Sequence, residues 1–187
     1  MYKPVEKGKK DYIKKNRIFS LIRTLIMFSL AACVYFIAYH MLGTNKNLFT
    51  VMAVLMILPA AKSAVNSVMF FKARVTDEDL YGRVEAERGE IPVLYDLIFT
   101  TYEKTYQSDA LLYSHGSIIL CINADDKKSA AFEDYLRSVI GSDKKYTVKA
   151  FNDRQAFLDR ISQMKEHFTG ADKDTEVLFE KIKAVVL

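Results

Sequence analysis

Two stretches of this chain hold almost no charge, and they constrain its fold more than any other feature. Residues 18–42, IFSLIRTLIMFSLAACVYFIAYHML, contain one formal charge in 25 positions, Arg23; residues 48–71, LFTVMAVLMILPAAKSAVNSVMFF, contain one in 24, Lys62. A helix rises about 1.5 Å per residue, so about 20 residues cross a hydrocarbon core of roughly 30 Å. Both runs are long enough, and only GTNKN separates them. The expectation is an N-terminal two-helix transmembrane hairpin over residues 18–71.

Basic residues orient such a hairpin. Residues 1–17 carry seven Lys or Arg against Glu6 and Asp11, the connecting loop holds only Lys46, and Lys72 and Arg74 follow the second run. Lys and Arg stay on the cytoplasmic side, which predicts a bacterial cytoplasmic (inner) membrane protein with both termini cytoplasmic. The 1–17 tail is then expected to lie against anionic lipid headgroups. LAAC, ending at Cys33, also fits a lipoprotein cleavage pattern. Arg23 interrupts the apolar leader, however, and VYFIAYHML continues it past the cysteine, which favours an intact helix.

The formal net charge of +4 hides a division. The tail is strongly basic, whereas residues 72–187 carry 17 Lys or Arg and 21 Asp or Glu. An acidic soluble part is a poor general nucleic-acid binder, because neutralising phosphates supplies that affinity. Cys33 and Cys121 fall in a span and a buried strand, so no disulfide is expected.

Arg23, Lys62 and Asn66 are the polar residues of interest within the spans. Counted from the cytoplasmic ends, Arg23 and Lys62 lie at similar shallow depth, where long cationic side chains reach the headgroups. Ala60 with Ala64, and Ser63 with Ser67, have the small-xxx-small spacing that lets helices approach closely. The expectation is interfacial anchoring, with Asn66 free to bond across the hairpin or to a second copy. The alternative is a lipid or partner contact made by Arg23, Lys62 and Asn66 together.

Beyond the hairpin, a juxtamembrane helix is expected over 72–90, capped by Thr76 and stopped at Gly89. Residues 91–187 read as a mixed α/β domain in the order β-β-β-α-β-α-α. VLYDLIFTTYEK (93–104) is ambiguous between helix and strand, and its β-branched and aromatic residues favour strand. ALLY and SIILCIN form a hairpin about SHGS, the second strand apolar enough to be buried on both faces. Helix over 130–141, strand over 145–152, helix over 154–168 and an amphipathic C-terminal helix complete the domain.

Catalytic groups are scarce. His40, His115 and His167 are isolated, no zinc-ligand spacing occurs, and there is no phosphate loop or nucleophile elbow. No catalytic residue, metal or cofactor is therefore expected. Asp125 and Asp126 follow a strand, where such residues more often cap the next helix than hold a cation.

The stretch SDALLYSHGSIILCINADDKK resembles the heart of restriction-endonuclease-like folds, especially the nuclease-related domain of some membrane-anchored bacterial proteins. In that family an aspartate opens one strand, a glycine turn follows, and the next strand carries an acid, a hydrophobe and a lysine. Asp109 matches the first acid, but Cys121 and Asn123 stand where the acid and lysine would be. The resemblance spans about residues 77–168 and implies that core without its nuclease chemistry. The leading expectation is a membrane protein presenting a non-catalytic binding or scaffolding module, with a protein partner or a second copy. Its alternative is a metal-dependent hydrolase using Asp109, Asp125 and Asp126.

Overall fold

The structure is a computed structural model describing residues 5–44, 47–101, 104–141, 146–170 and 173–187. It divides into two compact units, Ile13–Ala73 and Val5–Tyr12 with Arg74–Leu187. Lys46, residues 102 and 103 of the ambiguous stretch, and residue 145 lie outside the described residues.

The first unit is a helical hairpin, α1 (Tyr12–Leu42) and α2 (Leu48–Lys72). Both helices are long and apolar enough to cross a membrane. Their covered positions follow a seven-residue repeat: Ser20, Thr24, Ala31 and Ala38 are buried on α1, with Arg17, Met27 and Val34 half-buried between them. On α2 the series is Ala53, Met56, Ala60, Ser63, Ser67 and Phe70. Alternating steps of three and four keep one seam facing its partner, and small side chains along it let the backbones close. Asn47 caps α2 by accepting the Thr50 N–H at 2.8 Å, and the helix continues through Pro59. At its far end, Arg17 donates through Nε to the Phe70 carbonyl at 2.8 Å and also reaches the Ala73 carbonyl. These bonds occupy acceptors that a helix C-terminus leaves unpaired.

The second unit is an α/β domain: α3 (Glu78–Arg88), β1 (Val93–Thr100), β2 (Thr105–Ser114), β3 (Ser117–Ile122), α4 (Asp126–Ile140), β4 (Thr147–Phe151), α5 (Arg154–Glu166) and α6 (Lys173–Val185). Among the described residues, four strands form one mixed sheet in the order β1-β2-β3-β4. The first two pairings are antiparallel and the last is parallel. His115 (φ 45) and Gly116 (φ 79) make the β2–β3 turn, both left-handed as a two-residue type I′ loop requires. The His115 ring is held between Ser114 Oγ and Thr169 Oγ1, at 3.0 and 2.9 Å.

Two cores lie on the two faces of the sheet. Phe132, Leu136 and Ile140 of α4 join Leu178 and Ile182 of α6 over Phe99, Leu111, Leu120 and Val148. On the other face, Leu80, Tyr81 and Val84 of α3 join Phe157, Leu158 and Ile161 of α5 over Tyr95, Leu112 and Ile119. The expected juxtamembrane helix is therefore an integral helix of the domain. Its cap also differs from expectation: Asp77 accepts the Asp79 N–H at 3.3 Å, and Thr76 points elsewhere.

The free edge of β1 is covered by both ends of the chain. Tyr95 donates its N–H to the Gly8 carbonyl at 2.8 Å, while Leu187 donates to Ile98 at 2.9 Å. Lys7 donates to the carbonyls of Lys183 and Val186, and Tyr12 donates its hydroxyl to Leu187 at 2.6 Å. Lys10 stands 4.9 Å from the Tyr81 ring centroid. Residues 5–12 thus belong to the domain, and the basic tail is not simply a headgroup-facing segment. Covering an edge strand removes a template for unwanted pairing. Gly8 has φ +83, and a Cβ there would come within 2.5 Å of a Leu94 methyl. Gly8→Ala should therefore loosen the segment and speed exchange of the Tyr95 amide about tenfold. Hydrogen-exchange mass spectrometry checks this; unchanged protection would show that the pairing does not depend on Gly8.

Candidate functional site

A left-handed residue in β1 and a register shift in β2 build the site. Along β1, Leu94 belongs to the α4–α6 core and Tyr95 to the α3–α5 core, as alternation requires. Leu97 and Phe99 then return to the first core, so the parity has slipped by one residue. The slip occurs at Asp96, which has φ +54. In β2 the register against β3 shifts between Ser108 and Ala110, which leaves Asp109 as the extra residue. Such irregularities re-aim the side chain at their centre, and here both residues are aspartates.

Asp96 is fully buried and Asp109 is 4% exposed. Thr76 Oγ1 lies 2.6 Å from Asp96 Oδ1 and 3.1 Å from Asp109 Oδ1. A hydroxyl has one proton, so it can donate to only one of them. The shorter contact assigns that proton to Asp96, which also accepts from the Tyr81 hydroxyl. Asp109 takes the weaker share of the same Thr76 hydroxyl. Burial pushes its carboxyl above the ordinary aspartate range, against the lowering effects of Thr76, Arg74 and Arg154. Two carboxylates in one buried site do not readily ionise together. Thr76 thus bridges the two acids, and the Tyr81 hydroxyl joins it on Asp96.

Asp109 also borders a cavity of about 360 Å³, together with Arg74, Lys104, Tyr106, Gln107, Ile122, Asn123, Lys128 and Phe132. Gln107 fixes this rim: its Oε1 accepts the Arg74 N–H at 2.8 Å and its Nε2 donates to the Arg74 carbonyl. Tyr106 stacks on Phe132 with centroids 4.8 Å apart. The second carboxyl oxygen of Asp109, Oδ2, has no hydrogen-bond partner among the described residues.

The other aspartates of the hydrolase alternative lie elsewhere. Asp125 is at the N-cap of α4 without a side-chain capping bond, and its carboxylate pairs with Lys128 at 3.6 Å. Asp126 accepts from Asn152 Nδ2 at 2.7 Å. Among the described residues, no three His, Cys, Asp or Glu side chains gather as a metal site would need. Cys121 is buried beside Asp109, its thiol pushed up to about 12 by desolvation first and the Asp109 charge second.

In the hairpin, Arg23 donates to Ser63 Oγ at 3.2 Å, while Lys62 is exposed and Asn66 half-buried. The other bonds across the seam are between hydroxyls: Ser63 and Ser67 entered the sequence reading only for their small size, and Ser20 and Thr24 did not enter it. Ser20 meets Ser67 at 2.7 Å, and Thr24 meets Ser63 and Ser67 at 2.8 and 3.0 Å. The available signal was the matched spacing of four in both helices, Ser20 with Thr24 and Ser63 with Ser67. Asp96 was likewise missed, although a lone charge inside VLYDLIFT marks a break in strand alternation. No family model matches the chain, and no curated protein or solved structure matches it.

Proposed function

We propose that this chain is an integral membrane protein whose hairpin anchors a cytoplasmic α/β domain, and that the domain is a non-catalytic binding or scaffolding module. The observation that carries the anchoring is the outer surface of the hairpin. Only 17% of each candidate span is buried, and Phe36 and Leu58 are 65% and 68% exposed. A core helix of a water-soluble domain hides such side chains; lipid accepts them. Because residues 5–12 and 74–187 belong to one domain, insertion of the intervening hairpin puts both of its ends on one side. The charge bias around the helices favours the cytoplasm.

Support for a binding module comes from the buried acids. Asp109 is nearly buried with one oxygen held by Thr76, and Cys121 and Asn123 stand where the resembled nuclease motif needs an acid and a lysine. The helix and parallel strand after the β2–β3 hairpin suit that core, with the fold kept and its chemistry lost. Thiol labelling tests the arrangement. On intact cells, a membrane-impermeant maleimide should label Thr44→Cys, and should label Glu180→Cys only after permeabilisation. Labelling of Glu180→Cys on intact cells would overturn the orientation, and release of the protein by alkaline carbonate would overturn the anchoring.

A further inference from the structure

We infer that the cavity beside Asp109 binds a small phosphate ester that also carries hydroxyl donors. This rests on reading the domain as a binding module and names what the module takes. Three cations converge on the cavity from distant parts of the chain: Arg74 before α3, Lys104 before β2 and Lys128 in the first turn of α4. Neither the Arg74 guanidinium nor the Lys104 ammonium forms an ion pair among the described residues. The partner of Lys128, Asp125, is solvent-exposed, and such surface pairs are readily exchanged for a better one. Three positive groups around one cavity match a phosphate monoester, which carries about −1.5 to −2 near neutral pH, better than a single carboxylate.

The deeper wall has different chemistry. Thr76 engages only Oδ1 of Asp109, so Oδ2 faces this wall as an acceptor for a ligand hydroxyl. Tyr106, Ile122 and Phe132 supply an apolar side for a carbon skeleton. The volume is near the small end of ligand sites, which run from about 300 Å³, and suits a sugar phosphate or mononucleotide. Arg74 directly follows the hairpin in sequence, so a phosphoinositide headgroup offers the same chemistry from a second source.

The full chain in zwitterionic detergent, titrated calorimetrically with AMP, tests the soluble source. Native mass spectrometry after exchange into nanodiscs containing phosphatidylinositol 4-phosphate or only phosphatidylcholine tests the lipid source. One of the two phosphate probes should bind, with affinity that falls on adding salt and falls about tenfold or more in Arg74→Ala and in Lys104→Ala. Asp109→Ala, which removes the acceptor from this wall, should weaken that probe while leaving the weaker binding of inorganic phosphate unchanged. Absence of binding to both probes at millimolar concentration would overturn the inference, as would unchanged affinity in both cation variants. If both probes fail while the thiol-labelling pattern and the unfolding transition stay intact, the anchored-module reading survives and only the ligand assignment falls.

Discussion

Thr76→Val is expected to destabilise the α/β domain by about 3 kcal/mol or more, although valine has nearly the same shape. The hydroxyl it removes is the group shared by two buried acids, at 2.6 Å from Asp96 and 3.1 Å from Asp109. Removing one partner of a buried charged group leaves the other desolvated and unpaired, which costs far more than an ordinary hydrogen bond contributes. Asp109→Asn should act in the opposite direction, because an amide can donate to Thr76 without ever ionising. The sign follows from the raised carboxyl of Asp109. Its contribution to stability is fully present below the unfolded aspartate value and is lost as pH rises through the higher folded value. The surrounding charges, Arg74, Arg154 and Asp77, are common to wild type and variant. Asp109→Asn should therefore gain stability at neutral and alkaline pH, with the gain shrinking towards acid. Thermal unfolding followed by circular dichroism across pH checks both variants. A neutral Thr76→Val would remove the shared-proton assignment, and a pH profile of Asp109→Asn parallel to wild type would do the same.

Phe132→Ala should cost the domain about 3–5 kcal/mol, the usual range for truncating a fully enclosed aromatic ring. Phe132 is completely buried, meets Phe99 edge-on with centroids 5.0 Å apart, and stacks on Tyr106. It therefore holds α4 to the sheet and forms part of the cavity wall. Phe132→Leu keeps most of the volume and should recover most of the loss. Denaturant unfolding of the two variants separates volume from ring stacking. A loss below about 1 kcal/mol for Phe132→Ala would mean that α4 does not dock on this ring.

The elements of this fold that depend on local pattern were legible in the sequence. The apolar runs 18–42 and 48–71 became α1 and α2, although α1 starts earlier, at Tyr12. The continuous run at 118–122 became an interior strand, and SHGS became a two-residue turn. The ambiguous 93–104 became a strand as far as Thr100. What escaped were features created by pairing over long sequence distances. Thr76 and Asp77 are equally plausible caps by local rules, and only the irregularities at Asp96 and Asp109 bring acids to Thr76. The charge pattern of the tail is dominated by its lysines, and nothing local shows Gly8 meeting Tyr95 or Lys7 meeting the last helix. The cavity was hidden for the same reason, since Arg74, Lys104 and Lys128 become neighbours only when the sheet forms.

The pairing of residues 5–12 with the domain also has a consequence for how the protein is made. These residues are made before both apolar helices, and their partner Tyr95 is made after them. If the hairpin is the membrane anchor proposed above and inserts during synthesis, it is committed to the bilayer before the domain can close. A chain inserted with its first segment on the wrong side cannot deliver Gly8 to the edge of β1, and the lysine clasp on the last helix stays open. Completion of the domain would then act as a quality check on insertion: only a correctly threaded chain covers the β1 edge with Gly8, and a misthreaded one keeps an open sheet edge that proteases and chaperones recognise.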